Sequence, residues 1–276
     1  MDGSFWDALR NQGRVIAALY ISEGLNRFAR RSWGLFEEMM SILIHVIGFS
    51  AIRLLTGATS HRGMPMIPFL VSGVFTYWIF KTTLVPVSNF QAAKSRYPVF
   101  PRVTQLDILI ARFLVNVSLY MFVSLLTFYV LYLVNLSAPI HNFVELVGLL
   151  LLAGFWGLSI GLILGGVYTV LPILRTLTSG FLRILMYTSG VFYVWPEVPY
   201  SLRPIAIWNP FFHIEEFMHS AYFEVYHSPI ASWKYVTTFT VIVFFLGLVT
   251  ERRFRPMNVR SRPVEETDPY ELVDAL

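Results

Sequence analysis

Cysteine is absent from the 276 residues, which excludes disulfides, thiolate metal sites and cysteine nucleophiles without fixing the compartment. Charge is scarce too: 14% of residues are Asp, Glu, Lys or Arg, against about 25% in soluble domains. The only lysines are Lys81, Lys94 and Lys234, and none follows a glycine, so no Gly-x-x-x-x-Gly-Lys phosphate cradle is present. The six histidines form no His-Glu-x-x-His pair, and no Gly-x-Ser-x-Gly nucleophile elbow occurs. His213 and His219, six apart, fall on different faces of a helix and make a poor metal pair. Carboxylates able to relay protons are few: Glu37, Glu38, Asp107 and Glu145 all stand at the ends of apolar stretches. The chain therefore offers no catalytic residue, no metal site and no cofactor of its own, and little for proton-coupled transport to work with.

What is abundant is apolar sequence. Hydrophobic residues make up 55% of the chain, and mean hydropathy is +0.59. A hydrocarbon core about 30 Å thick takes ~20 apolar helical residues to cross. Stretches of that length cover residues 35–55, 66–87, 106–134, 143–171, 178–195 and 232–250. They predict an all-α integral membrane protein with six transmembrane helices in one transmembrane domain over residues 1–276. Within it, residues 1–34 form a cytoplasmic or interfacial helix, 35–250 the six-span bundle and 251–276 a cytoplasmic tail. The first 34 residues hold five arginines and no clean signal-peptide core, so no cleavage is expected.

The pI near 9.3 fits either nucleic-acid binding or basic cytoplasmic loops. The distribution favours the loops. Arg10, Arg14, Arg27, Arg30 and Arg31 precede the first span; Lys94, Arg96 and Arg102 follow the second; Arg175 joins the fourth to the fifth; Arg252, Arg253, Arg255, Arg260 and Arg262 end the chain. The opposite side carries Arg53, Arg62, Arg203 and Lys234, and none around residues 135–142. That asymmetry places both termini in the cytoplasm of a multi-pass inner-membrane protein, with no nucleic-acid partner.

Three segments stand out from the simple alternation. Over residues 13–33, Val15, Ala18, Leu19, Leu25 and Phe28 recur at helical spacing and Glu23, Arg27, Arg30 and Arg31 take another face, as in an amphipathic helix on the inner leaflet or packed on a partner. Gly157, Gly161 and Gly165 put a small residue at every fourth position, a stripe that lets helix backbones approach in lipid. Residues 196–231 mix five prolines with Tyr200, Trp208, Phe211, Phe212, Phe217, Tyr222, Phe223 and Tyr226, too aromatic for a solvated loop. Two helical pieces, about 200–208 and 211–222, are expected to dip into the outer leaflet and return as a re-entrant hairpin. Asn209 and Pro210 make an N-cap and first position for the second piece. On it His213 and Glu216 either gate an exit or satisfy each other.

These features, taken in order, resemble one family. The run Ala17-Leu19-Glu23-Arg27-Phe28 is similar to its opening helix, with Ser22 where an arginine is usual. Tyr97-Pro98-Val99-Phe100-Pro101 followed by Asp107-Ile108-Leu109-Ile110-Ala111-Arg112 is similar to its loop and third span. Asn209-Pro210-Phe211-Phe212-His213-Ile214-Glu215-Glu216 resembles its Asn-Pro-x-x-His-x-x-Glu signature, with His219 where arginine is usual. The matches cover most of the chain and resemble the membrane subunit of a type-2 ABC exporter, polysaccharide-export branch: capsule permeases of the KpsM kind and O-antigen permeases of the Wzm kind.

The resemblance implies a non-enzymatic permease subunit, a homodimer with two separate ATP-binding subunits that carry the ATP and magnesium. It implies export of a capsular, acidic, lipid-linked polysaccharide, with periplasmic and outer-membrane export proteins as further partners. Export of O-antigen or another glycolipid, or of a drug or lipid by the same kind of subunit, are the alternatives, and a membrane anchor for an enzyme complex is a third class. Glu23, Arg27, Lys94, Arg96 and Tyr97 would contact the ATPase. Arg27, Arg30, Arg31, Arg53 and Lys81 would receive an anionic lipid head or acidic glycan, because charge in or near a bilayer needs a reason. Trp208, Phe211 and Phe212 would stack on sugar faces beside His213 and Glu216. Alanine at Lys94, Arg96 and Tyr97 is expected to uncouple ATP hydrolysis from export without affecting membrane insertion; ATPase stimulation and export in reconstituted vesicles measure it.

Overall fold

The computed structural model describes residues 5–30, 40, 43–51, 60–90 and 103–260. Helix α1 (Phe5–Arg30) opens the chain, and a helical stretch occupies residues 43–51. A two-residue ribbon follows, β1 (Ser60–His61) antiparallel to β2 (Met64–Pro65). Arg62 and Gly63 turn it with φ of 52° and 85°, the positive values a two-residue hairpin loop requires. Then come α2 (Met66–Ser88), α3 (Gln105–Leu133), α4 (Phe143–Val170), α5 (Ile173–Thr188), a 3-10 turn at Trp195–Glu197, α6 (Arg203–Ala206), α7 (Pro210–Tyr222) and α8 (Trp233–Arg260). Side-chain caps start four of them: Thr104 and Asp107 form a capping box on α3, Asn142 caps α4, Asn209 caps α7, and Ser232 Oγ accepts the Tyr235 N–H at the start of α8.

Four described helices, α2, α3, α4 and α8, are long and apolar enough to cross a membrane, so the expectation of six spans is not met. The fifth expected span, 178–195, fails by length. α5 has 16 residues, roughly 24 Å of helix at 1.5 Å per residue, short of a hydrocarbon core. It stops because Gly190 turns the chain with φ 83°. Of the first expected span, 35–55, only residues 40 and 43–51 lie within the described part. There Val46 joins the core and Phe49 packs on Phe192, with ring centroids 4.1 Å apart.

The re-entrant hairpin is also overturned. The segment 196–231 holds the short α6 and the longer α7, which does not pair with α6 as a hairpin arm. α7 lies against α4, α2 and α8. Its end is tied to the α3–α4 connection by His141 N–H to Tyr222 O, 3.1 Å, and Asn142 N–H to Ala221 O, 2.8 Å. The aromatics that made the segment unlike a solvated loop are largely core: Phe211, Phe212, Tyr222, Phe223 and Tyr226 are buried. α1 starts earlier than expected, at Phe5, and turns Leu19 and Glu23 onto α3 while Ile21 and Leu25 stay exposed.

α2 and α4 form the most extensive helix pair. The glycine stripe of α4 makes this possible. A Cβ at Gly157 would stand 2.5 Å from the Phe80 carbonyl oxygen, and one at Gly161 2.8 Å from a Val87 methyl. Phe90 lies over Gly165, and on another side of α4 Gly247 of α8 approaches the Ser159 carbonyl in the same way. Gly148, on the same helix, has nothing within 4 Å of a built Cβ. Gly157→Val is therefore expected to destabilise the bundle by about 1–3 kcal/mol through overpacking. Gly148→Ala should be neutral or stabilise it by a few tenths to ~1 kcal/mol. Thermal unfolding of the detergent-solubilised protein separates the two.

Candidate functional site

A cavity of about 380 Å³ opens between residues 43–51, α2, α4 and α5. Its cations come from two helices. On α5, Arg175, Ser179 and Arg183 are spaced by four, so they line one stripe of an otherwise apolar helix. On α2, Lys81 sits almost one turn after Trp78, with Nζ 4.7 Å from the centre of that ring. Arg175 stands 5.6 Å over Tyr168 of α4, and His45 meets Trp78 edge-on at 5.1 Å. Tyr77 donates to the Leu182 carbonyl at 2.5 Å and Tyr168 donates to Thr178 Oγ1 at 2.6 Å, so the hydroxyls fix α5 against α2 and α4. Among the described residues no Asp or Glu lines this wall.

A second cavity, about 250 Å³ and almost entirely apolar, adjoins it and shares Leu84, Thr178 and Leu182. Phe80, Ile160, Leu164, Leu177 and Phe181 are among the residues that line the rest of its wall. Together they juxtapose a cation-lined cavity backed by aromatic rings and an apolar slot.

α7 carries the other dense set of polar groups, and it works differently from the expectation. His213 and Glu216 do not bond each other. His213 Nε2 lies 2.8 Å from the Ile207 carbonyl, while Glu216 accepts from the Trp195 N–H at 2.8 Å, the Tyr226 hydroxyl at 2.7 Å and the Ser228 hydroxyl at 2.5 Å. One carboxylate thus anchors the loops on both sides of α7. Next to it Glu215 is wholly buried, and neither oxygen has a hydrogen-bond partner among the described residues. His219 and His61 sandwich Phe69, each ring 4.3 Å away, and His61 Nε2 is 2.8 Å from Glu197 Oε2.

The expected site residues therefore scatter. Lys81 enters the cationic cavity, and Trp208 is 74% exposed on the surface. Phe211 and Phe212 do not present faces to a sugar: Phe211 packs on Tyr77 and Phe80, and Phe212 on Tyr193 and Trp195. Glu23 is buried beside Arg112, with Oε2 3.6 Å from its Nε, instead of facing outward. Arg27 and Arg30 end α1; Arg31, Arg53, Lys94, Arg96 and Tyr97 lie outside the described residues. The sequence reading missed Arg175 as a wall residue, and its spacing of eight from Arg183 was the available signal.

Burial sets the titration of α7. It pushes Glu215 well above the usual carboxylate range, with the neighbouring Glu216 charge adding to the shift. Burial raises Glu216 as well, against the Ser228 and Tyr226 hydroxyls and the Trp195 N–H. It lowers His219 to about 4, partly opposed by the Gly190 carbonyl. The unfolded imidazole binds protons that the buried ring refuses, so His219 contributes stability that is lost as pH falls from 6.5 to about 4. Glu215 acts in the other direction: the folded state holds its proton above 4.5, and stability declines as pH rises through that range. His219→Phe should flatten the loss toward acid and Glu215→Gln the loss toward higher pH, read from melting temperature against pH.

No family model matches the chain. It is 26% identical over 245 residues to the polysialic acid transport protein KpsM of Escherichia coli, covering 86% of this chain and 92% of that one. It is 24% identical over 256 residues to the capsule polysaccharide export inner-membrane protein BexB of Haemophilus influenzae, covering 91% and 95%. Against the capsule polysaccharide export inner-membrane protein CtrC of Neisseria meningitidis serogroup B, identity is 21% over 260 residues, with the same coverage. Similarity along nearly the whole length, with several apolar helices, supports a membrane permease subunit of the polysaccharide-export ABC superfamily, non-catalytic itself and served by ATP-binding partner subunits.

Proposed function

We propose that this chain is the inner-membrane subunit through which a capsular polysaccharide, acidic and lipid-linked, is exported at the expense of ATP. The observation that carries the reading is the cavity with Lys81, Arg175 and Arg183 on its wall and no carboxylate there among the described residues. Fixed cations in or beside a bilayer are costly unless something anionic meets them. A uronic or sialic acid carboxylate, or the phosphate of a lipid carrier, supplies that charge, and Trp78, Tyr168 and Tyr187 supply ring faces for sugar C–H surfaces. The adjoining apolar slot suits the hydrocarbon of a lipid-linked substrate. The names of the similar proteins, a polysialic acid transporter among them, point to the same class of cargo.

In this reading the chain works as a homodimer with two ATP-binding subunits, both termini cytoplasmic, and residues 91–102 meet the ATPase. Periplasmic and outer-membrane proteins take the polymer onward. Capsule is preferred to O-antigen because the named relatives belong to capsule and polysialic acid export. Removing one charge-assisted hydrogen bond costs about 1.5–3 kcal/mol, so Lys81→Gln or Arg183→Gln is expected to weaken retention of the anionic substrate about tenfold or more. Surface polysaccharide should fall while protein abundance and basal ATP hydrolysis stay normal. Normal surface polymer in the Lys81→Gln, Arg183→Gln double variant contradicts the assignment.

A further inference from the structure

At the end of the bundle away from the α7 network, one arginine joins three helices. Arg112, in the second turn of α3, is 8% exposed. Its Nη1 donates to the Pro86 carbonyl at 3.1 Å, which also accepts the Asn89 N–H at 3.4 Å, and to the Asn89 carbonyl at 3.4 Å, at the C-terminal end of α2. Its Nε lies 3.6 Å from Glu23 Oε2 of α1, both side chains 9% exposed. A planar guanidinium can serve two carbonyls and a carboxylate in one arrangement; an ammonium cannot span them.

Two further ties run between α1 and α3. Gln12 donates to Asp107, the capping-box residue of α3, and the Tyr20 hydroxyl lies 3.1 Å from Ser118 Oγ. Below them a separate apolar cluster draws Leu19 of α1, Phe90, Ile108 of α3, and Leu158 and Leu162 of α4 together. The ends of α2 and the start of α3 are the two stems of residues 91–102. Arg112 thus grips both stems and α1 at once.

We infer that Arg112 is a positioning residue for energy coupling: it makes α1 and both stems of segment 91–102 one rigid body, so that displacement of that segment by a partner ATPase carries α1 with it. The inference rests on the proposed ATPase contact at 91–102. It differs from a purely structural role, because it requires α1 not to slide on α3 during transport.

The test uses the full chain with its ATP-binding partner, in a deletion strain of its own host. It measures co-purified partner, ATP hydrolysis by the purified complex and polysaccharide at the cell surface. Arg112→Lys should keep the partner and its ATP hydrolysis but lower surface polymer at least fivefold. Because the chain has no cysteine, Tyr20→Cys with Ser118→Cys can be bridged by a short, membrane-permeant bis-thiosulfonate, and export should stay within twofold of the unbridged protein. Loss of export on bridging, with hydrolysis continuing, overturns the inference, and this arm decides alone if Arg112→Lys does not accumulate. Normal export in an accumulated Arg112→Lys, beside lost coupling in alanine variants of Lys94, Arg96 and Tyr97, overturns the clamp only. Normal coupling in those alanine variants overturns the ATPase contact on which it rests.

Discussion

The approach of α2 to α4 is the constraint on which the other contacts depend. In lipid, two apolar helices gain nothing from hiding hydrocarbon, so they associate where backbones come close and dispersion contacts multiply. Gly157 and Gly161 allow that approach, with the Phe80 and Leu84 carbonyls against the face where side chains would otherwise stand. The seam fixes the rotation of α2. Phe80 and Leu84 then turn toward α4 and α5, Trp78 and Lys81 line the cationic cavity, and Ser72 and Phe69 meet His219 of α7. Phe90 closes the lower end over Gly165, where the apolar cluster beneath Arg112 begins.

Around this seam the polar groups divide by sign. The positive ones on α2 and α5 face a cavity, whereas the buried carboxylates of α7 and α1 are bonded internally or shifted toward the protonated form. Glu216 accepts three donors, Glu23 meets Arg112, and burial favours the protonated form of Glu215. Buried polar groups away from water need partners whether or not they act, so the anchored carboxylates read as architecture. The cavity cations have no such partner among the carboxylates of the described residues, and that difference is what singles the cavity out.

Much of the bundle was legible in the sequence. The apolar runs 66–87, 106–134 and 143–171 match α2, α3 and α4 within a residue or so at each end, and the Asn209–Pro210 start of α7 follows from capping chemistry. The glycine repeat also announced a packing seam. The fifth span was not legible, because a hydropathy window cannot see that the chain turns at Gly190 and brings Val191 onto Gly73 of α2. Nor does an aromatic count separate lining from core: Phe211 and Phe212, in the first turn of α7, face protein, while Trp208, in the turn before that helix, faces outward. The pairing of His213 with a backbone carbonyl, not Glu216, depends on where α6 ends. Spacing alone could not supply it.

The proposed route takes the polymer's anionic end past the cations contributed by α2 and α5. The most direct measurement is an electron cryo-microscopy structure of the intact transporter, partner ATPase included, with the lipid-linked polysaccharide from its own host. Density for an acidic or phosphate group is expected within hydrogen-bonding distance of Lys81 and Arg183, with a sugar ring or acyl chain against Trp78 or Phe181. Substrate density that follows a route away from these side chains would contradict it.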